Sequence, residues 1–394
     1  MFIGLVTLVA AAVVSVVRGQ NTDVTTALAC QNRSKPYLAT LHVGEFAASS
    51  YFDCFRPQEQ MFEYLDAMMG LAPNKSMTKF NMSTTFQGRP VPAYKISIGS
   101  KKSSILVLSL HHAREWISGA ATVYTIATLL DSIANNMTQM MLYDWVFVPI
   151  VNLDGYIVTW TTQERLRRKN MNPTGGDIPY DPTGGLSQSG VDLNRNYGPL
   201  AYFNLEPSTK ANLTYPGETP FSEPETSGIH KWLQTHPEVI GSMDIHSYAG
   251  AILLPFGDAR ASPAAPFAAK FDALGSAMQA AIVRDLGVRY DYGPSTMLYM
   301  AYGTFTDYFF RHYGKPTVTM EVKGTSFVVP ASSITNSGDH VVAGCRAFAQ
   351  NIAPFVAGLP ASTPMAPDTA PAAKPSIGTL PLCALWTAVV TLLL

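Results

Sequence analysis

Charge is scarce in this chain and almost balanced. Asp, Glu, Lys and Arg make up 14% of its 394 residues and the formal net charge is -1. A protein that holds nucleic acid or an anionic surface by electrostatics carries a basic excess, and none is present. Cysteine is scarce too, with four in the sequence, which excludes a small scaffold stapled by a disulfide framework. Room is lacking at the start: only the residues between Gln20 and Tyr51 separate the first apolar stretch from the first extended folded pattern. That is fewer than the roughly forty a domain needs to fold unaided, so no folded pro-domain is expected there.

What the chain does have is apolar substance, 47% by residue, enough for a large core. Its two ends have their own character. Residues 2–17 are small and aliphatic, followed by Arg18, Gly19, Gln20 and a polar run from Asn21, which reads as a secretory signal over 1–20. Residues 358–379 are rich in Pro, Ala, Thr and Ser, and 380–394 form an uncharged hydrophobic end. Small residues such as Asp368, Thr369 and Ala370, a spacer and a short tail are the order of a GPI signal, with 358–379 as stalk. Five Asn-x-Ser/Thr sequons, at Asn32, Asn74, Asn81, Asn136 and Asn212, agree with a secreted glycoprotein held at the outer face of the cell membrane. Cys30 and Cys54 are close enough in sequence to close a strap, whereas Cys345 falls in an apolar helical pattern and reads as a buried thiol.

Between the ends, apolar strands alternate with amphipathic helices. Strands are predicted at 105–110, 145–151, 239–245 and 316–322. Helices are predicted at 118–132, 223–235 behind a Ser222-x-x-Glu225 capping box, 266–286, 305–313 closed by Gly314, and 333–352. The alternation implies a single α/β domain over 51–357, with a mixed central sheet flanked by helices. Residues 172–190 carry Pro-Thr-Gly-Gly twice and read as a surface loop.

Three strand ends carry chemistry. Directly after 105–110 stands His111-His112-Ala113-Arg114-Glu115-Trp116, a His and a Glu three residues apart. Catalytic zinc takes three protein ligands from His and carboxylate, which makes His112 and Glu115 candidates. The strand over 239–245 runs into His246, the natural third ligand, and Glu321 interrupts the apolar strand 316–322, where an ionised group is costly unless paired or near a metal. Glu321 is thus the candidate general base. Ligands gather at the C-terminal edge of such sheets, so one zinc site is expected there.

His-Ala-Arg-Glu-Trp after a strand resembles the signature of the A/B-type zinc metallocarboxypeptidases, the carboxypeptidase A-like family. The resemblance runs from about Tyr51 to about Phe355. It includes Pro149-Ile150-Val151-Asn152-Leu153-Asp154-Gly155-Tyr156, Arg165-Leu166-Arg167-Arg168-Lys169, Gly190-Val191-Asp192-Leu193-Asn194-Arg195-Asn196 and Ile245-His246-Ser247-Tyr248. It implies a monomeric zinc exopeptidase acting on peptide C-termini, with His112, Glu115 and His246 holding one Zn2+ and Glu321 as base. It further implies Arg168 for the oxyanion, Arg195 with Asn194 for the terminal carboxylate, and Tyr299 as the tyrosine that closes over it. Arg114, Ser247 and Tyr248 match positions for residues upstream of the scissile bond. Thr306 matches the position read for selectivity and, being neutral, implies release of aliphatic or aromatic residues.

The chain departs from the family pattern after Glu321, where Val322-Lys323-Gly324 replaces Leu-Arg-Asp, and at Leu153 and Arg167, which replace a common proline and tryptophan. Three classes of function stay open at this point: an active surface exopeptidase, a catalytically weak peptide-binding relative, and a zinc amidase or deacylase of the same fold. His111, adjacent to His112, is expected to point elsewhere and to serve packing or support.

Overall fold

A computed structural model describes residues 22–34, 36–99, 103–174, 188–206 and 208–357. The predicted signal, stalk and terminal tail, and most of the loop 172–190, lie outside the described residues. Among those described, eight strands form one mixed sheet: β1 (Met77–Thr84), β2 (Pro90–Ile96), β3 (Ser104–Ser109), β4 (Asp144–Val148), β5 (Val239–Tyr248), β6 (Ala251–Leu254), β7 (Asp291–Pro294) and β8 (Thr317–Lys323). Their order across the sheet is β1-β2-β4-β3-β5-β8-β6-β7. Pairing is parallel across β4, β3, β5 and β8, and antiparallel where β2 joins β4 and β6 joins β8.

The central strands read as continuous apolar runs because both faces are covered. Alternate residues part to opposite sides. Ile105, Val107, Met243, Ile245, Val318, Met320 and Val322 enter the larger core, with α2 (Gln58–Leu71), α3 (Trp116–Ala134), α6 (Phe267–Leu286) and α8 (Ile334–Asn351). Leu106, Leu108, Val146 and Val148 enter a smaller one, with α5 (Pro224–Thr235) and α7 (Phe305–Tyr313). Fully burying one such side chain stabilises by about 1.5–3 kcal/mol. On the smaller-core side, near the C-terminal ends of the parallel strands, the face turns polar with Asp244, His246, Thr319 and Glu321.

The α/β domain with a mixed sheet is as expected, and four sheet strands and five helices fall on predicted segments. β4 is shorter than predicted: it stops at Val148, before Pro149, and Asn152 then accepts a hydrogen bond from Gly155 N (3.1 Å) and opens the short α4 (Leu153–Val158). The Ser222 capping box is not formed. Pro224 takes the first helical position, Glu223 precedes it as the cap residue without a side-chain bond, and Ser222 Oγ instead donates to Glu223 Oε1 (2.9 Å). Strands β1, β2, β6 and β7 went unpredicted because they lie towards the sheet's margins and lack a long apolar run.

The packed unit also begins before Tyr51. Residues 22–33 form a helix, α1, and Val24, Ala27, Tyr37 and Phe46 belong to the larger core. The carboxylate of Asp131 on α3 accepts from Phe46 N (2.7 Å) and Ala47 N (2.8 Å). Cys30 and Cys54 are joined, with their Cα atoms 5.8 Å apart. Cys345 is a buried free thiol, pushed up by burial to about 12.

Candidate metal centre and substrate cleft

Two candidate metal ligands are presented by a sharp turn at the end of β3. Leu110 adopts a left-handed backbone, φ 56°, and sends its side chain toward α3. There Gly119 leaves the space: a Cβ at that position would lie 2.4 Å from Leu110 Cδ1. The turn delivers His112, and Glu115 stands at the start of α3. His112 Nδ1 lies 2.9 Å from Glu115 Oε1, and His246 Nδ1 lies 3.0 Å from Glu115 Oε2. Donor atoms of all three residues fall within 4.8 Å of one another, and all three residues are buried.

Each imidazole presents its other nitrogen to a carboxylate. His112 Nε2 is 3.1 Å from Asp192 Oδ1, and His246 Nε2 is 2.8 Å from Asp244 Oδ2. Two imidazoles and one carboxylate, with an outer carboxylate orienting each ring, are the donor chemistry that suits zinc. The electrostatics agree. Burial alone would raise Glu115, but His112 and His246 overturn that and hold it well below the usual carboxylate range. Burial likewise would lower His246, but Asp244 and Glu115 overturn it and hold the ring well above the usual imidazole range. Negative charge of this kind around His246 favours a cation at the centre.

His111 is drawn away from that centre. Its Nδ1 lies 2.8 Å from Asp244 Oδ1 and its Nε2 lies 2.9 Å from the Tyr197 hydroxyl, so both nitrogens are engaged behind His246.

Glu321 reaches the site through strand register. β5 and β8 are parallel with His246 opposite Glu321, so the two side chains leave the same face side by side. Burial, with the Glu115 carboxylate adding to it, pushes Glu321 up to about 7. Arg168 stands across the cleft, where Nε and Nη2 both donate to Asp192 Oδ2 (2.9 and 2.7 Å). Asp192 thereby orients the His112 ring and the Arg168 guanidinium together. Burial would raise Asp192, but Arg168 and then His112 hold it well below the carboxylate range.

A recess of about 40 Å3 opens beside His112, His246 and Glu321 and is walled by Leu253, Leu298, Ala301, Thr304 and Thr319. Arg195 and Tyr299 also line it, with Arg195 Nη2 donating to the Tyr299 hydroxyl (3.2 Å). Gly303, at φ 66°, passes so near the Arg195 backbone that a Cβ would lie 2.2 Å from the Arg195 carbonyl oxygen. Arg168, Ser247, Tyr248 and Phe327 line the cleft on the other side of the centre. Arg114 lies with its guanidinium 3.9 Å over the Phe327 ring.

A profile of the zinc carboxypeptidase family matches residues 61–344. The chain belongs to the zinc carboxypeptidase family. Among curated zinc carboxypeptidase relatives, the inactive metallocarboxypeptidase ecm14 of Talaromyces stipitatus is 31% identical over 227 residues, covering 53% of this chain and 36% of that protein. The protein of the same name from Sclerotinia sclerotiorum is 26% identical over 345 residues, covering 78% and 55%. The chain thus spans about a third to a half of the length of these relatives. Of solved structures, carboxypeptidase A from Helicoverpa armigera superposes with a TM-score of 0.68 at 25% identity, over 84% of this chain and 79% of that one. Thrombin-activatable fibrinolysis inhibitor superposes with a TM-score of 0.71 at 21% identity, over 86% and 80%, a likeness of fold.

Against the zinc carboxypeptidase expectations, two residues sit differently. Thr306 is outside the recess lining: it is buried behind the wall, with its hydroxyl 2.6 Å from that of Thr319, the residue that does face the recess. Asn194 lines the recess, but its amide is committed elsewhere. Nδ2 lies 3.0 Å from His246 Nε2 and 3.3 Å from Asp244 Oδ2, while Oδ1 accepts from Phe305 N (2.8 Å). It therefore supports Asp244, and through it His246, as well as the start of α7, besides flanking Arg195. Asp192, Asp244, Ser295, Thr304 and Thr319 are polar residues of the site for which the sequence predicted no role. A signal existed for one: Asp244 precedes His246 by two residues on a strand, which places both on one face.

Proposed function

We propose that this chain is an active zinc carboxypeptidase that releases neutral residues from peptide C-termini. The observation that carries the reading is the meeting of the His112, Glu115 and His246 donor set with Glu321 opposite His246 and with Arg195 lining the recess beside them. Zinc held by His112, Glu115 and His246 would supply a Lewis acid that polarises the scissile carbonyl and acidifies water. Arg195 takes the terminal carboxylate of the peptide through its planar donor fork, and Tyr299, already bonded to it, shuts the recess against water. Glu321 accepts the proton of the attacking water and returns it to the leaving amine. Arg168, oriented by Asp192, donates to the carbonyl oxygen as charge gathers on it.

Selectivity follows from the walls of the recess. Apart from Arg195, Glu321 and the metal ligands, its lining is neutral, and Asp307, the nearby acid, is turned away to accept from Gly257 N (2.8 Å) and Asp258 N (3.1 Å). An unpaired ammonium there would cost on the order of several kcal/mol to desolvate. Blocked dipeptides ending in Phe, Leu or Ile should be cleaved far faster than those ending in Lys or Arg by the zinc-loaded full chain. A preference for basic ends would overturn this account.

A second reading, a peptide-binding relative without turnover, is favoured by the name "inactive" borne by the curated relatives. Peptide binding by the zinc-loaded chain with no hydrolysis across the panel would establish it. For location, the reading is a secreted glycoprotein held by a lipid anchor; its secreted part is supported by the Cys30–Cys54 bond, which suits an oxidising compartment, and by the exposure of all five sequon asparagines. Release from intact cells by a phosphatidylinositol-specific phospholipase is the expected result; retention, with a susceptible control released, argues for another attachment.

A further inference from the structure

The helix α1 stands apart from the cleft, yet one of its side chains reaches the cleft's supports. Asp23 forms an ion pair with Arg165 Nε, and the Asp23 side chain is only 10% exposed and that of Arg165 1%. The guanidinium of Arg165 also reaches the residues around Glu115 and the cleft wall. Nη1 donates to the carbonyl of Arg114 (2.8 Å), Nη2 donates to the carbonyl of Phe327 (3.1 Å), and the plane lies 3.8 Å over the Trp116 ring. Arg114 and Trp116 flank Glu115 in sequence. Phe327 packs on the Arg114 guanidinium and, edge to face at 4.8 Å, on Tyr248. One buried cation therefore ties the ligand-bearing turn to the wall formed by Phe327 and Tyr248.

The helix that supplies the counter-charge is itself pinned. Cys30 near its other end is bonded to Cys54, and Gln31 Nε2 donates to the Phe55 carbonyl (2.8 Å). Val24 and Ala27 are buried in the larger core between those attachments. Among the described residues, none from 22–55 lines the recess or the cleft. The segment thus supports the site from behind without blocking it.

We infer that α1 is a brace for the upstream side of the cleft, with Asp23 the positioning residue that fixes Arg165 and, through it, Arg114, Phe327 and Tyr248. Without Asp23, the buried guanidinium loses a carboxylate that neutralises it, and a buried cation deprived of such a partner is costly to hold in place. The inference rests on the proposed peptidase reading for its kinetic consequence and on geometry alone for its structural one. The test uses the zinc-loaded full chain and its D23A, D23N and D23E variants. Expected for D23A and D23N is a KM raised about tenfold for substrates with two or more residues upstream of the scissile bond, and a far smaller change for a minimal N-acyl amino acid. D23E should recover most of the loss. Hydrogen exchange should quicken at residues 113–118 and 325–329, with zinc content unchanged. The exchange arm stands even if no variant, and not the parent, hydrolyses peptides. If D23A destabilises the chain too far, the conservative D23N, measured well below its melting temperature, carries the same comparison. Unchanged exchange in both segments, or an equal loss on short and long substrates, would overturn the brace.

Discussion

Glu321 is the residue on which chemistry and binding can be separated. It lines the cleft without belonging to the His112, Glu115 and His246 donor set, so replacing its carboxylate with an amide of the same shape should spare the metal. General acid–base catalysis contributes about 10²–10⁴-fold. E321Q is accordingly expected to bind zinc like the parent, by metal analysis after dialysis, and to lose at least about a hundredfold in kcat. Parent-like turnover would remove Glu321 from the mechanism. At the same scale, Asp192 shows how one buried carboxylate serves two partners, the His112 ring and the Arg168 fork, at bonds of 3.1 and 2.7–2.9 Å. A sequence shows Asp192 only as one more acid in a motif; its two partners lie 80 and 24 residues away.

Among the elements, the turn between β3 and α3 carries the most consequence. Its left-handed Leu110 is accommodated by the bare face of Gly119, and the next residues are His111 and His112. Alanine at 119 would favour the isolated helix by about 1 kcal/mol. Its Cβ, however, would meet a fully buried Leu110 side chain, and overpacking costs about 1–3 kcal/mol. G119A is therefore expected to lower the melting temperature and to weaken zinc binding, because Leu110 moves with the ligand turn; thermal unfolding and a zinc titration read the two effects. A stabilised variant with parent-like zinc affinity would show that the turn adapts freely. The helices legible beforehand were α3, α5, α6, α7 and α8. Those missed include α1, α2 and α4, whose inward residues, such as Val24, Ala27, Met61, Leu65 and Tyr156, are held by packing in the larger core rather than by propensity.

For the molecule as a whole, Glu225 sets a pH dependence. It is buried on α5, where one carboxylate oxygen accepts from Phe86 N (3.1 Å) and the other is buried without a partner among the described residues. Burial pushes its carboxyl up to about 8. The folded state then holds a proton that the unfolded chain has already released, so stability declines as pH rises from the ordinary Glu range through about 8. The slope is up to about 1.4 kcal/mol per pH unit. E225Q should flatten that segment of the curve, so its melting temperature gains on the parent's between pH 5 and 8.5. Parallel curves would show that Glu225 is satisfied when ionised.

Much of this protein was decided by sequence alone. Continuous apolar runs marked the strands buried on both faces, and the strand-end positions of His112, Glu115 and His246, with the family resemblance, pointed to the donor set and to Glu321 beside it, because such local patterns survive in any fold that keeps those strands. The tertiary structure decided the rest. Whether Thr306 or Thr319 faces the recess depends on how α7 lies against β8, and that Asp23 reaches Arg165 depends on where α1 packs, 142 residues away in sequence. Such contacts arise between elements whose relative placement is set by the whole core, and no local pattern encodes them.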